Sequence, residues 1–155
     1  MGRPSAHEII RQLDLKPLPE EGGFYHVTWA SSNGSAIYFL LTSDSLGFSA
    51  FHVLGTDEIY HFYLGDAAEL HLLHPDRSHQ RIVLGPDLEM GQRPQIVVPA
   101  GSAQASRVVS GGEYSLVGTT MAPPFSAQGF HLSSRAELLS RFPDQGKIIT
   151  ALTRG

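Results

Sequence analysis

The chain has 155 residues and a formal net charge of −4, from 11 Lys and Arg against 15 Asp and Glu. That length suits one domain over residues 1–155 with a single core, and neither sign of charge is clustered, which argues against a nucleic-acid stripe or a polybasic membrane patch. The absence of Cys excludes disulfides and thiolate chemistry. The lack of any apolar signal core or membrane-length segment leads us to expect a cytoplasmic protein.

In chain order, Ser5-Ala6-His7-Glu8 has the form of a capping box, and Ile9, Ile10 and Leu13 follow at helical spacing, so a short helix is predicted over 5–13. Pro17 and Pro19 end it, and Glu20-Glu21-Gly22-Gly23 turns into a strand over 24–30. Residues 31–35 are a polar loop, and 35–42, SAIYFLLT, reads as a strand buried on both faces. Strands at 48–54 and 58–64 are predicted to form a central hairpin about Gly55-Thr56-Asp57. Further strands are predicted at 67–74, 81–84, 96–98, 104–109 and 113–121, the last two joined through Gly111-Gly112. A second capping signature at Ser134–Glu137 starts a helix that runs to about Phe142, with a short helix near 145–152.

The 16 glycines and 10 prolines fall between apolar runs, where the turns of an all-β fold need them. Many short strands with helices only at the ends argue a sandwich or jelly-roll barrel. The chemistry-bearing side chains gather at 48–65. Period-two alternation puts Glu58, Tyr60 and Phe62 on one face, and Ile59, His61 and Tyr63 on the other. A carboxylate that shares a face with two aromatic rings must be paired, hydrogen-bonded or solvated by a cavity, so this stretch is expected to line a pocket. A bulge near Asp57 would reverse the face of His61, which stays a second-choice binding residue.

His52 lies six residues before Glu58, Gly65 seven after it, and Pro99-Ala100-Gly101-Ser102-Ala103-Gln104 has the form P-x-G-x-x-polar. These stretches resemble the two motifs of the cupin superfamily. Glu20–Phe24, AIYFLLT, SAFHVLGTDEIYHFYLGD, AELHLL, LGPDL, PQIVVPAGSAQAS, SLVGTTMAP and RAELLSRFP resemble one branch of it, cupin family 5, over most of the chain. The resemblance implies an all-β, cupin-type double-stranded β-helix (a jelly-roll barrel) with short terminal helices, forming a homodimer similar to the dTDP-sugar epimerases. In cupins the first motif supplies His, His and Glu, and the second another His. Here His52 and Glu58 match, while Leu54 and Gln104 stand at the other two positions.

The resemblance implies a small-molecule-binding barrel, with lyase or isomerase action on a small polar metabolite (ureidoglycolate-like or sugar-like) as one reading. The other is a non-catalytic ligand-binding cupin. No cofactor is certain. A divalent metal would be held by His52, Glu58 and Gln104, and the competing reading is a His52–Glu58 pair in a polar pocket. The similarity to epimerases makes His52 and His71 candidate bases and Tyr60 and Tyr114 candidate acids, with Glu58 beside them. As single side chains, Tyr60 also reads as a packing residue and His71 as a strand histidine bonded to Glu69. Candidate binding residues are Glu21 and Gly23 in the turn, His61, Gln104 as a neutral donor-acceptor, and Phe125 at the mouth. After Ala122-Pro123 this chain lacks the acidic residues that the group tends to carry. Neither a G-x-S-x-G elbow nor a P-loop nor a dinucleotide fingerprint is present.

Overall fold

The computed structural model describes residues 2–155, built around two antiparallel sheets. Helix α1 (Ala6–Gln12) starts where the capping box predicts. The Ser5 hydroxyl accepts from the Glu8 backbone N–H at 3.2 Å, and the Glu8 carboxylate accepts from the Ser5 N–H at 2.7 Å. Its buried Ile9 packs with Leu40, Tyr114 and Leu116 on the outer side of the first sheet.

Strands β1 (Lys16–Pro17), β2 (Phe24–Ser31), β3 (Gly34–Thr42), β4 (Ser49–Leu54), β5 (Glu58–Gly65), β6 (Ala68–Leu73), β7 (His79–Leu84), β8 (Gln95–Val98), β9 (Ala103–Val108), β10 (Tyr114–Met121) and β11 (Phe130–Leu132) follow. Helices α2 (Arg135–Arg141) and α3 (Gly146–Ala151) close the chain. The first sheet has the order β1-β2-β3-β10-β5-β8 and the second β11-β4-β9-β6-β7. This is the expected jelly-roll barrel with helices only at its ends.

The central hairpin predicted at 48–64 does not form. β4 pairs with β9 and β11 in the second sheet, whereas β5 pairs with β10 and β8 in the first. A two-residue hairpin turn needs positive φ at its centre, and Gly55, Thr56 and Asp57 have none. The segment is instead tied to other loops. The Gly55 N–H donates to the Gly129 carbonyl at 3.0 Å, and the Ala100 N–H donates to the Asp57 carboxylate at 2.8 Å. The join at Gly111-Gly112 likewise carries the chain from β9 in one sheet to β10 in the other. Both links are crossovers between sheets, which is what makes the barrel a closed body.

Between the sheets, Phe39, Leu41, Leu70, Leu72, Ile96, Val98 and Val117 fill the interior. Each such side chain contributes about 1.5–3 kcal/mol on full burial. On the outer face of the second sheet, Phe51, Leu73, Ala103 and Ala105 are covered by Leu138 and Phe142 of α2 and its C-cap and by Ile149 and Leu152 of α3 and its C-cap. Among the described residues no helix is long and apolar enough to cross a membrane.

Candidate functional site

The hydrocarbon does not fill the barrel from end to end. A cavity of about 280 Å³ remains, with Glu21, Tyr25, His52, Glu58, Tyr60 and Thr119 among its walls. Ile37, Leu54, Met121 and Phe130 supply apolar surface, and the half-exposed Phe125 forms a rim.

Glu21 reaches the cavity because the turn before β2 is pressed onto the barrel. The Leu18 N–H donates to the Gly23 carbonyl at 2.9 Å, and the Gly22 N–H donates to the Leu18 carbonyl at 3.0 Å. Gly22 and Gly23 take φ of +104° and +77°. A Cβ on Gly23 would lie 2.7 Å from the Phe39 ring, and one on Gly22 would strike the Phe48 carbonyl and the Arg154 guanidinium. Only glycine fits both the conformation and the space. Gly23 does not itself line the cavity; it seats the turn that carries Glu21.

The Ser49 hydroxyl donates to Glu21 Oε2 at 2.7 Å, and Glu21 Oε1 stands 3.8 Å from His52 Nε2. His52, from β4, has Nδ1 2.8 Å from the Ala50 carbonyl oxygen. A carbonyl only accepts, so Nδ1 carries a proton, and whenever the ring is neutral Nε2 is the acceptor that faces the cavity. The Phe130 ring stacks on the imidazole at 5.4 Å.

Glu58, the first residue of β5, is 7% exposed, and among the described residues its Oε1 has no hydrogen-bond partner. Burial pushes its carboxyl up to about 6; the His52 imidazole opposes the rise, the Glu21 carboxylate adds to it, and the Thr119 hydroxyl and Gln104 amide oppose it more weakly. Two residues on, the Tyr60 hydroxyl donates to Gln104 Oε1 at 2.9 Å. Burial, then Glu58 and Glu21, hold that phenol well above the usual range. Tyr60 is therefore protonated near neutral pH, with its proton committed to Gln104. Gln104, on β9, stands behind Tyr60 with its Oε1 taken by that bond, which leaves its amide N–H on the side of Glu58.

Four candidates lie elsewhere. His61 is on the outer face of β5, as alternation predicts, with Nε2 3.0 Å from the Thr120 hydroxyl and its ring parallel to Tyr63. The bulge in β5 falls at Tyr63, opposite the Leu116/Val117 step, and not at Asp57, so the face of His61 is not reversed. His71 points out of the second sheet, because the inward positions of β6 are Leu70 and Leu72. It is spent on Glu69, 3.2 Å from Nε2, and on His79, 3.1 Å from Nδ1. Burial lowers its basicity, with Glu69 working against that. Tyr114 is on the outer side of the first sheet, donating to the Pro4 carbonyl at 2.6 Å. Gly23, as above, is a backbone device. Sequence reasoning did not single out Thr119, Phe130 or Ser49. Alternation along β10 from the inward Val117 points to Thr119, whereas nothing local marks the other two.

The metal set proposed by resemblance is short of free donors. Gln104 Oε1 is taken by Tyr60, Leu54 offers no donor, and one imidazole remains. Among the described residues no group of three or more His, Asp or Glu is placed to hold a metal ion. A larger cleft of about 490 Å³ opens beside Glu69 and Arg107. Those two groups already pair with each other, and the other charged group on its walls, Asp44, accepts from the Leu46 N–H at 2.9 Å.

The solved structures repeat this architecture. A hypothetical protein from Leishmania major is similar over 98% of this chain and 100% of its own, at 27% identity and TM-score 0.91. A crystal structure of a Shewanella oneidensis protein is similar over 98% of this chain and 99% of its own, at 33% identity and TM-score 0.89. Oxalate decarboxylase from Bacillus subtilis shares the fold alone, at 12% identity and TM-score 0.59; the match covers 90% of this chain and 37% of that one. No curated protein matches the chain. The family profile described as Cupin superfamily (DUF985) matches residues 7–133, and with the same barrel drawn from both sheets this chain belongs to that family, Cupin_5.

Proposed function

We propose that residues 1–155 act as one cupin domain that binds a small polar metabolite in the barrel and turns it over by lyase or isomerase chemistry. Glu58 exchanges the proton. The observation that carries this reading is the state of Glu58: buried, facing the cavity, with one oxygen unpartnered and a carboxyl held at about 6. An unsatisfied buried acceptor costs about 1–3 kcal/mol, which a structural carboxylate has no reason to bear. A proton-transfer group works best with its pKa near the working pH. At pH 7 Glu58 is mostly ionised and can take a proton from a guest's C–H or O–H, then return it. His52 Nε2 is the second open acceptor in the cavity, and Tyr60 positions rather than reacts.

The test is turnover on a metabolite panel. Once a substrate is found, Glu58→Gln lowers kcat by about 10²–10⁴, and His52→Ala lowers kcat less. Turnover untouched by both changes would remove the assignment.

A second reading, a barrel that binds without turnover, is favoured by Leu54 and Gln104 at two positions where cupins carry His, and by the commitment of the Tyr60 hydroxyl to Gln104. Under it, a metabolite raises the melting temperature and emerges unchanged. A cytoplasmic homodimer belongs to the same proposal. The exposed Trp29, Tyr63 and Val97 on the outer face of the first sheet support the dimer, and light scattering that returns the mass of a single chain would remove it.

A further inference from the structure

The cavity holds an excess of negative charge with nothing on its walls to balance it. Glu21 and Glu58 both line it, and no Lys or Arg does. Among the described residues His52 is the one basic group on its walls, and the nearby Arg154 guanidinium is spent on the Ser45, Phe48 and Glu21 carbonyls, so the walls stay net negative with the imidazole neutral or charged. Glu21 is partly satisfied by Ser49, whereas Glu58 Oε1 has no partner and sits on a side chain more than nine-tenths buried. Aromatic surface from Phe125, Phe130 and Tyr25 faces the same space. An ammonium group is attracted both to a desolvated carboxylate and to the faces of aromatic rings.

We infer that the guest of this cavity is a small organic cation, a primary amine on a short apolar body, whose ammonium group donates to Glu58 and Glu21 while its body lies against Phe125 and Phe130. The inference rests on the proposal that the barrel is the binding site and narrows what it binds. A guest of the ureidoglycolate kind, which carries its own carboxylate, would bring a further negative charge to walls without a cation. The hydroxyls of a sugar meet no such repulsion but leave the carboxylate charge uncompensated. Burial raises the Glu58 carboxyl to about 6, with Glu21 adding to the rise, as expected of a carboxylate whose counter-charge arrives with the ligand.

The test uses three probes of one shape on the full chain, followed by calorimetry: benzylamine, benzyl alcohol and benzoate. Benzylamine is expected to bind at pH 7.5 at least about tenfold more tightly than the alcohol, with benzoate weakest. Glu58→Gln weakens benzylamine by at least about tenfold, and Glu21→Gln by less, because Ser49 already satisfies part of that carboxylate. Benzylamine affinity falls between pH 7.5 and 5 as Glu58 protonates; the other ionisable groups facing it are Glu21, His52 and Tyr60. Benzoate or benzyl alcohol binding at least as well as benzylamine overturns the charge assignment and leaves the binding barrel standing. Benzylamine binding untouched by Glu58→Gln also overturns the assignment. Silence from all three probes, with both variants folded, overturns the inference together with the reading it rests on.

Discussion

Glu58 and Glu69 are both glutamates on barrel strands and are almost equally buried, at 7% and 6% exposure. Their surroundings differ in every other respect. Glu69 faces outward from the second sheet and accepts from the guanidinium groups of Arg81 and Arg107 and from the His71 imidazole. Burial, the largest single influence, raises its carboxyl, yet those three donors together outweigh it and hold the group at about 2. Glu58 faces inward, lacks a partner on Oε1 and is pushed to about 6. Burial alone therefore does not mark a functional carboxylate. The difference lies in whether the chain supplies the donors itself, as at Glu69, or leaves the place for a guest, as at Glu58.

The comparison breaks most visibly at Glu69. Glu69→Gln is expected to cost about 3 kcal/mol of unfolding free energy at pH 7, read by urea denaturation. That is the low end of the range for breaking a buried ion pair, because the Arg81 and Arg107 side chains are half exposed, at 51% and 41%, and can hydrate. The folded-state carboxyl is depressed, so its contribution is present above the ordinary value of 4.5 and is lost as pH falls towards about 2. The deficit of the variant should shrink over that window. A cost below about 0.5 kcal/mol at pH 7 would show that the cluster is a solvated surface network and that the contrast with Glu58 is one of exposure.

Part of this contrast can be read from the sequence. Alternation from Glu58 puts Tyr60 on the same face and His61 on the other, and the structure keeps that order because the β5 bulge falls later, at Tyr63. The capping box at Ser5 and Glu8 is local, and it forms as written. What was not legible is long-range. Glu58 pairs with Met121 and Val98, and the strand before it pairs with β9 and β11, so proximity in sequence suggested a hairpin that non-local pairing replaces. β6, AELHLL, is buried at all six positions, so its pattern gives no sign of which face is inward, and nothing local sets His71, a candidate base by similarity to the epimerases, on the outer side. The Ser49–Glu21 bond joins residues 28 apart in the chain, and no local pattern announces it.

A smaller effect, of opposite sign, is expected at Glu58. The folded-state carboxyl is raised, to about 6 from 4.5, so the native chain binds more protons than the unfolded chain in that window and stability falls as pH rises through it. The shift corresponds to about 2 kcal/mol at pH 7.5. Below pH 4.5 the side chain is protonated in both states, and Glu58→Gln should match the parent protein there. At pH 7.5 the variant should be more stable by up to about 2 kcal/mol, with a higher melting temperature, because a neutral amide does not have to be ionised inside the barrel. Stability gained where a binding group is removed is the expected trade between a strained site and the fold that carries it. A variant no more stable than its parent across pH 4 to 8 would mean that Glu58 is already satisfied by the chain, like Glu69, and that the cavity is not waiting for a charge from outside.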